Sequence, residues 1–146
     1  MRVVLTGHVH VGLPPDEAFV LFTPRGEERW VPGWHPHFPA GALADDTEPG
    51  TVFQTHSDTH IQTTWIVTDC APGRHIAYAR HAPSDHAGRV TVTLHPSPGT
   101  GTGTGTSVEV TYDLTALNAE SAERLQAFAD GFPPFLQSWE TALRAE

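Results

Sequence analysis

Ten histidines in a chain of 146 residues are the first chemistry on offer. His8-x-His10 and His35-x-His37 each bring two imidazoles close together, and His56 and His60 flank Asp58. Imidazole pairs beside a carboxylate can hold zinc. Yet no His-Glu-x-x-His pattern and no cysteine cluster is present. His8 and His10 alternate against apolar neighbours, so they are expected to face water. No metal site and no cofactor is expected. The milder consequence is that histidine protonation reduces the net negative charge as pH falls toward about 6. Nucleophilic catalysis has little support. The one thiol, Cys70, ends a strand-like run just before Ala71-Pro72-Gly73, where a structural role is the default. No Gly-x-Ser-x-Gly elbow occurs. Acid–base work is open to His37, His56, Asp113 or Glu140 if the fold brings one into a cavity with a shifted pKa. Asp113 follows Tyr112 and is expected to face out. The Gly-Thr repeat from Gly99 to Thr106 is no phosphate loop, because that motif ends in lysine and a helix. A strand follows here, so the segment from Pro96 to Thr106 reads as a flexible hairpin loop.

A second constellation is aromatic. Ile76, Tyr78 and Arg80 share one face of a strand, and Tyr112 lies on an apolar face of another. If those faces look inward, Arg80 is a cation in an apolar space. It then needs an acid partner or an anionic ligand, because an unpaired buried charge is costly. An oxygenated aromatic or a carboxylate would suit Arg80 and two phenols. The rival reading puts Arg80 at a rim, paired with an acid. Trp30, Trp34 and Phe38 fall in a segment dense in proline and glycine. They either cover an apolar ligand or anchor the loop to the core, which large rings do well. Trp65 with Ile61, Thr63 and Val67 forms one strand face, and Gln62, Thr64, Ile66 and Thr68 the other; the pattern leaves open which is inner, and the Trp65 face is taken for the cavity side, with Phe53 and Thr55 on the core face.

Composition narrows the classes. Charged residues make up 17% of the chain and hydrophobic residues 38%, which argues against disorder. Seventeen acids against eight bases give a formal charge of −9. Such a surface repels phosphate backbones and anionic lipid, so nucleic acid and membrane are poor partners. One cysteine excludes an internal disulfide and suits a reducing, cytoplasmic setting. Neither a secretion signal nor an apolar run near the ~18 residues of a membrane span is visible.

The elements that must position these groups follow from periodicity. Residues 3 to 11 alternate with period two, apart from Val4, and read as a half-buried strand. Pro14-Pro15-Asp16-Glu17 opens a short helix to about Phe22, with its acids at the positive end. A second short turn covers Gly26 to Val31. Strands are expected at Thr51–Ser57, Ile61–Asp69, His75–Ala82, Arg89–His95 and Ser107–Thr115. Their short connections require antiparallel pairing. Asn118 caps a final helix, on which Leu125, Phe128, Phe132, Leu136, Trp139 and Leu143 form one apolar stripe. Phe128 and Phe132 from this stripe are expected to reach the ligand. Pro133-Pro134 should kink that helix or divide it in two.

Leu13-Pro14-Pro15-Asp16-Glu17-Ala18-Phe19, the run from Phe22 to Trp34, Pro49-Gly50-Thr51-Val52-Phe53 and the closing Ser138-Trp139-Glu140 resemble the START-like helix-grip superfamily. Its members are also called SRPBCC, or polyketide cyclase/dehydrase and lipid-transport proteins. The resemblance spans nearly the whole chain. It implies one α+β domain over residues 1–146, with a curved antiparallel sheet around a long C-terminal helix and a cavity between them. It implies no single activity, since members include binders, transporters, cyclases, hydrolases and chaperone co-factors. The expectation is therefore a binder of a small hydrophobic or aromatic molecule. The rivals are a cyclase or dehydratase working by acid–base chemistry, and a co-chaperone-like interaction module. A homodimer through a sheet edge or the Trp34 loop is open.

Overall fold

The computed structural model describes residues 1–41, 44–56, 61–98 and 104–146. The expected loop residues 57–60, with His60 and Asp58, and the centre of the Gly-Thr repeat lie outside them. The element order is β1 (Arg2–Val11), α1 (Pro15–Val20), a 3-10 turn (Gly26–Arg29), β2 (Val52–His56) and β3 (Gln62–Ala71). Then come β4 (His75–Ala82), β5 (His86–Pro98), β6 (Thr104–Ala116), α2 (Ala119–Asp130) and α3 (Phe132–Leu143). All six strands form one sheet in the order β1-β6-β5-β4-β3-β2, and every neighbouring pair is antiparallel. This is the helix-grip arrangement, an α+β fold with helices on one face of a curved sheet.

Alternation decides which face is covered. Val9, Val11, Val90, Val92, Val108, Val110 and Leu114 point into the core, while His8 and His10 are exposed, as their period-two spacing requires. Phe22 and Phe53 are almost fully buried, and each such ring contributes roughly 1.5–3 kcal/mol. Gly7 on β1 leaves room for Leu136 and Phe132, so α3 lies close on this edge of the sheet.

Two expectations change in detail. The β5–β6 hairpin runs further than the Pro96–Thr106 loop reading allows, pairing Pro96 with Thr106 and reaching Pro98 and Thr104. The reason is geometric. Leu94 donates its N–H toward the β4 side, to Arg74 O at 2.7 Å. Residues 96 and 98 point the same way, beyond the last β4 pairing at His75–Thr93. Prolines there remove no ladder bond. Likewise β5 begins at His86 rather than Arg89, so the expected loop before it is a tight turn. The C-terminal helix is two helices, split at Gly131, with Pro133 in the first turn of α3. That position tolerates a missing donor. Asn118 caps α2 with a reciprocal pair of bonds to Ser121.

Candidate functional site

A cavity of about 310 Å³ lies between the sheet and α3, within the usual range for small-molecule sites. Its walls are aromatic. From the sheet, Phe53 and Trp65 lie parallel with centroids 5.8 Å apart, and Trp34 meets both edge-on. From α3, Phe135 and Trp139 face them, with centroids 5.2 Å apart. Val90 and Val92 form part of the floor. Trp34 is held by its indole N–H, which donates to Pro24 O at 2.7 Å.

Three polar groups converge in this apolar space: Arg80 from β4, Tyr112 from β6 and Glu27 from the 3-10 turn. The Arg80 guanidinium carbon sits 4.4 Å over the Trp65 ring, a cation–π contact. Its Nε is buried without a hydrogen-bond partner. No ion pair holds Arg80 among the described residues. Burial lowers its pKa, against the pull of Tyr112, Asp85 and Glu27. Burial pushes the Glu27 carboxyl well above the ordinary carboxylate range, and the attraction of Arg80 only partly offsets this. Tyr112 is likewise raised by burial, and its hydroxyl has no partner among the described residues. The inner face of β4 thus carries the isolated cation that its alternation allowed. The paired-at-the-rim reading of Arg80 is not what the fold builds.

Of the ten candidate residues, Trp34, Phe53, Trp65, Tyr78, Arg80 and Tyr112 line this cavity, and four do not. Trp30 is buried behind it, donating to Leu21 O at 2.6 Å and packing edge-on to Phe22 and Trp139. It anchors the turn that carries Glu27. Phe38 lies against Phe53 under the Arg25 guanidinium. Phe132 packs against Tyr112 and β1, because the split at Gly131 turns it toward the sheet edge. Phe128 borders a separate hollow of about 150 Å³, shared with Arg80, Asp85, His86 and Arg124. There His86 Nδ1 pairs with Asp85 at 2.7 Å, Asp85 pairs with Arg124, and His86 Nε2 is buried without a partner. Tyr78 lines the main cavity, but its hydroxyl donates to Phe22 O at 2.8 Å. Its proton is therefore already committed to the fold.

The acid–base candidates fare differently. His56 reaches the cavity rim. Asp113 faces out, between Arg2 and Arg89. Glu140 accepts from the His10 N–H at 3.1 Å, and His37 is exposed, pairing through its backbone with Gln54. Cys70 is half-buried, and burial raises its thiol pKa. Among the described residues no cluster of His, Cys, Asp and Glu could hold a metal. Glu27 was missed. In sequence it is one of two acids opening a short turn, which reads as a solvated helix start.

The model of one family, Activator of Hsp90 ATPase homolog 1-like protein, matches residues 13–144. The chain belongs to that family. No curated protein matches the sequence closely enough to count as a relative. Among solved structures, the Aha1 dimer from Colwellia psychrerythraea is 15% identical, with a TM-score of 0.62, covering 97% of this chain and 96% of that one. Norcoclaurine synthase from Thalictrum flavum is 12% identical, with a TM-score of 0.63, covering 98% of this chain and 84% of its own. DynU16, from the dynemicin biosynthetic locus, is 18% identical, with a TM-score of 0.58, covering 97% of this chain and 47% of its own. These likenesses establish the shared START-like fold. Among the described residues no helix is long and apolar enough to cross a membrane.

Proposed function

We propose that this protein binds a small, largely aromatic molecule in the cavity between sheet and α3. The observation that carries the reading is the aromatic box, with Trp34, Phe53 and Trp65 on one side and Phe135 and Trp139 on the other. Rings exposed to a hollow of about 310 Å³ lack packing partners that a ligand would supply. Fluorescence titration with N-phenylnaphthylamine, an uncharged aromatic dye, tests it. Native protein takes up the dye saturably, and Trp65→Ala weakens uptake at least about fivefold. Unsaturable uptake, or uptake unchanged by substitutions at Trp65 and Trp139, refutes the reading.

A second reading is enzymatic, and Glu27 favours it. A cyclase or dehydratase acting by proton transfer needs a titratable group beside an electrophilic one, and Glu27, Arg80 and Tyr112 meet that need. Norcoclaurine synthase carries a biosynthetic activity on the same fold. The family description also raises a protein-interaction reading. Its support is thin, because among the described residues the large exposed apolar side chains are scattered, with only Val52 and Ile66 facing each other across strands. The Colwellia relative is described as a dimer, so self-association belongs to this reading, and light scattering tests it.

A further inference from the structure

Resting on the aromatic-ligand reading, we propose that the cavity selects aromatic anions. Arg80 and Tyr112 hold the anionic group, with Glu27 lining the same cavity beside them.

The chain as a whole carries −9, so its surface does not attract anions. Its cavity does the opposite. Arg80 is the one arginine or lysine lining it, and no carboxylate pairs with that cation among the described residues. The Arg80 face is occupied by Trp65. Its N–H groups lie in the guanidinium plane, so they project away from that stacked face. The orphaned Nε shows that the protein does not use this capacity in full. The free Tyr112 hydroxyl lines the same cavity. A carboxylate, sulfonate or phenolate on a flat ring supplies a charge-assisted partner to both donors, while its ring fills the aromatic box.

Glu27 decides when that site is positive. Burial raises its carboxyl well above the ordinary carboxylate range, and wherever it is protonated it leaves Arg80 unneutralised and can itself donate. Once ionised, it opposes the ligand charge and attracts Arg80. The other groups facing the site hold their states over the alkaline range. Tyr78 and Tyr112 are raised by burial and stay phenols. Asp85 is held below the carboxylate range by His86 and Arg124 and stays charged. His86 is lowered from 6.5 by burial and by Arg80, and stays neutral. His56 at the rim is the remaining ionisable group, and His56→Asn in the same background removes it.

The test uses two dyes with the same rings: anilinonaphthalene sulfonate, an anion, and the uncharged N-phenylnaphthylamine. Each is titrated into the full chain from about pH 5 upward, over the whole range in which circular dichroism confirms the fold. The wild type prefers the anion by about tenfold or more at the acid end of the titration, and the preference shrinks about tenfold as pH rises and Glu27 ionises. Arg80→Met removes the preference. Glu27→Gln, which stays neutral, keeps it at high pH, and so does Glu27→Gln combined with His56→Asn. Equal affinities for the two dyes in wild type overturn the inference and leave the aromatic-ligand reading standing. So does a preference that survives Arg80→Met, or a pH dependence that survives Glu27→Gln. If neither dye binds, both fall.

Discussion

Replacing Arg80 with methionine should make the protein more stable. Arg80 is half-buried with its guanidinium over Trp65 at 4.4 Å, and its buried Nε has no hydrogen-bond partner. Holding an unpaired ion in the interior costs several kcal/mol after relaxation. Two terms work in the other direction. A desolvated cation–π contact returns about 2 kcal/mol. Attraction to Asp85 or Glu27 acts beyond ion-pair distance and is worth less than about 4 kcal/mol at an effective dielectric of 20. Burial raises the Glu27 carboxyl well above its ordinary range, which weakens that attraction wherever it is protonated. Methionine keeps the apolar stem and the contact with the indole while discarding the charge. The net expectation is a gain of about 1–3 kcal/mol, within the range seen when buried ions give way to apolar side chains. For a chain of this length, ~2 kcal/mol raises Tm by about 4–8 °C. Urea unfolding at pH 7, followed by tryptophan fluorescence and circular dichroism, reads the same gain as a midpoint shift of roughly 1 M. A variant less stable than wild type by more than about 1 kcal/mol would refute the reasoning. It would mean that the guanidinium already has full partners in solution and is part of the architecture.

Glu27→Gln is the companion measurement. A carboxyl raised above its usual 4.5 by burial holds more protons folded than unfolded. Its contribution is full below the unfolded value and is lost as pH rises through the folded one. The variant and wild type therefore match near pH 4, and the variant gains stability relative to wild type toward pH 9 in parallel urea titrations. Asp113 behaves in the opposite sense. Arg2 and Arg89 lower it to about 2, so Asp113→Asn destabilises slightly at pH 7, and the difference fades as pH falls through about 2. Asn118→Ala removes both the α2 cap and the bond to Ser84 O at 2.6 Å. It should cost about 1–2 kcal/mol in chemical denaturation. At Gly26 an added Cβ would collide with the Val20 carbonyl. Gly26→Ala should cost about 1–3 kcal/mol and weaken dye binding, because the same turn sets Glu27.

Period-two runs made the strands and their inner faces readable. Ile76, Tyr78 and Arg80 alternate in the sequence and share the concave side in the fold, which is why the isolated cation could be anticipated. The spacing of Leu125, Leu136 and Leu143 marked the helical stripe for the same reason. Hydrogen-bond partners were not readable, because they depend on where other elements end. The Tyr78 hydroxyl donates a hydrogen bond to the Phe22 carbonyl just after α1. Trp30 and Trp34 both reach carbonyls in the α1 connection, yet only Trp34 finishes in the cavity. Glu27 escaped because a four-residue 3-10 turn is too short for a periodic pattern. Its neighbours Glu28 and Arg29 are exposed, so the local sequence looks like surface.

The position of this one turn bears on which reading of the cavity holds. A structural account explains Trp30, which staples the turn to Leu21 O and fills the core behind it. It does not explain why the next inward side chain is a carboxyl without a partner. Nor does it explain a second unpartnered donor on Arg80 across the same hollow. For packing alone, apolar side chains at both positions would be the cheaper solution. A partner protein docking on the outer surface would leave both groups equally unsatisfied, since they line an interior space. A ligand that enters the aromatic box with a polar end would give a partner to Glu27 and to the part of the guanidinium that lines the cavity, although the buried Nε lies out of its reach. That is the ground on which we propose a small molecule rather than a partner protein, in a family whose description points to the latter.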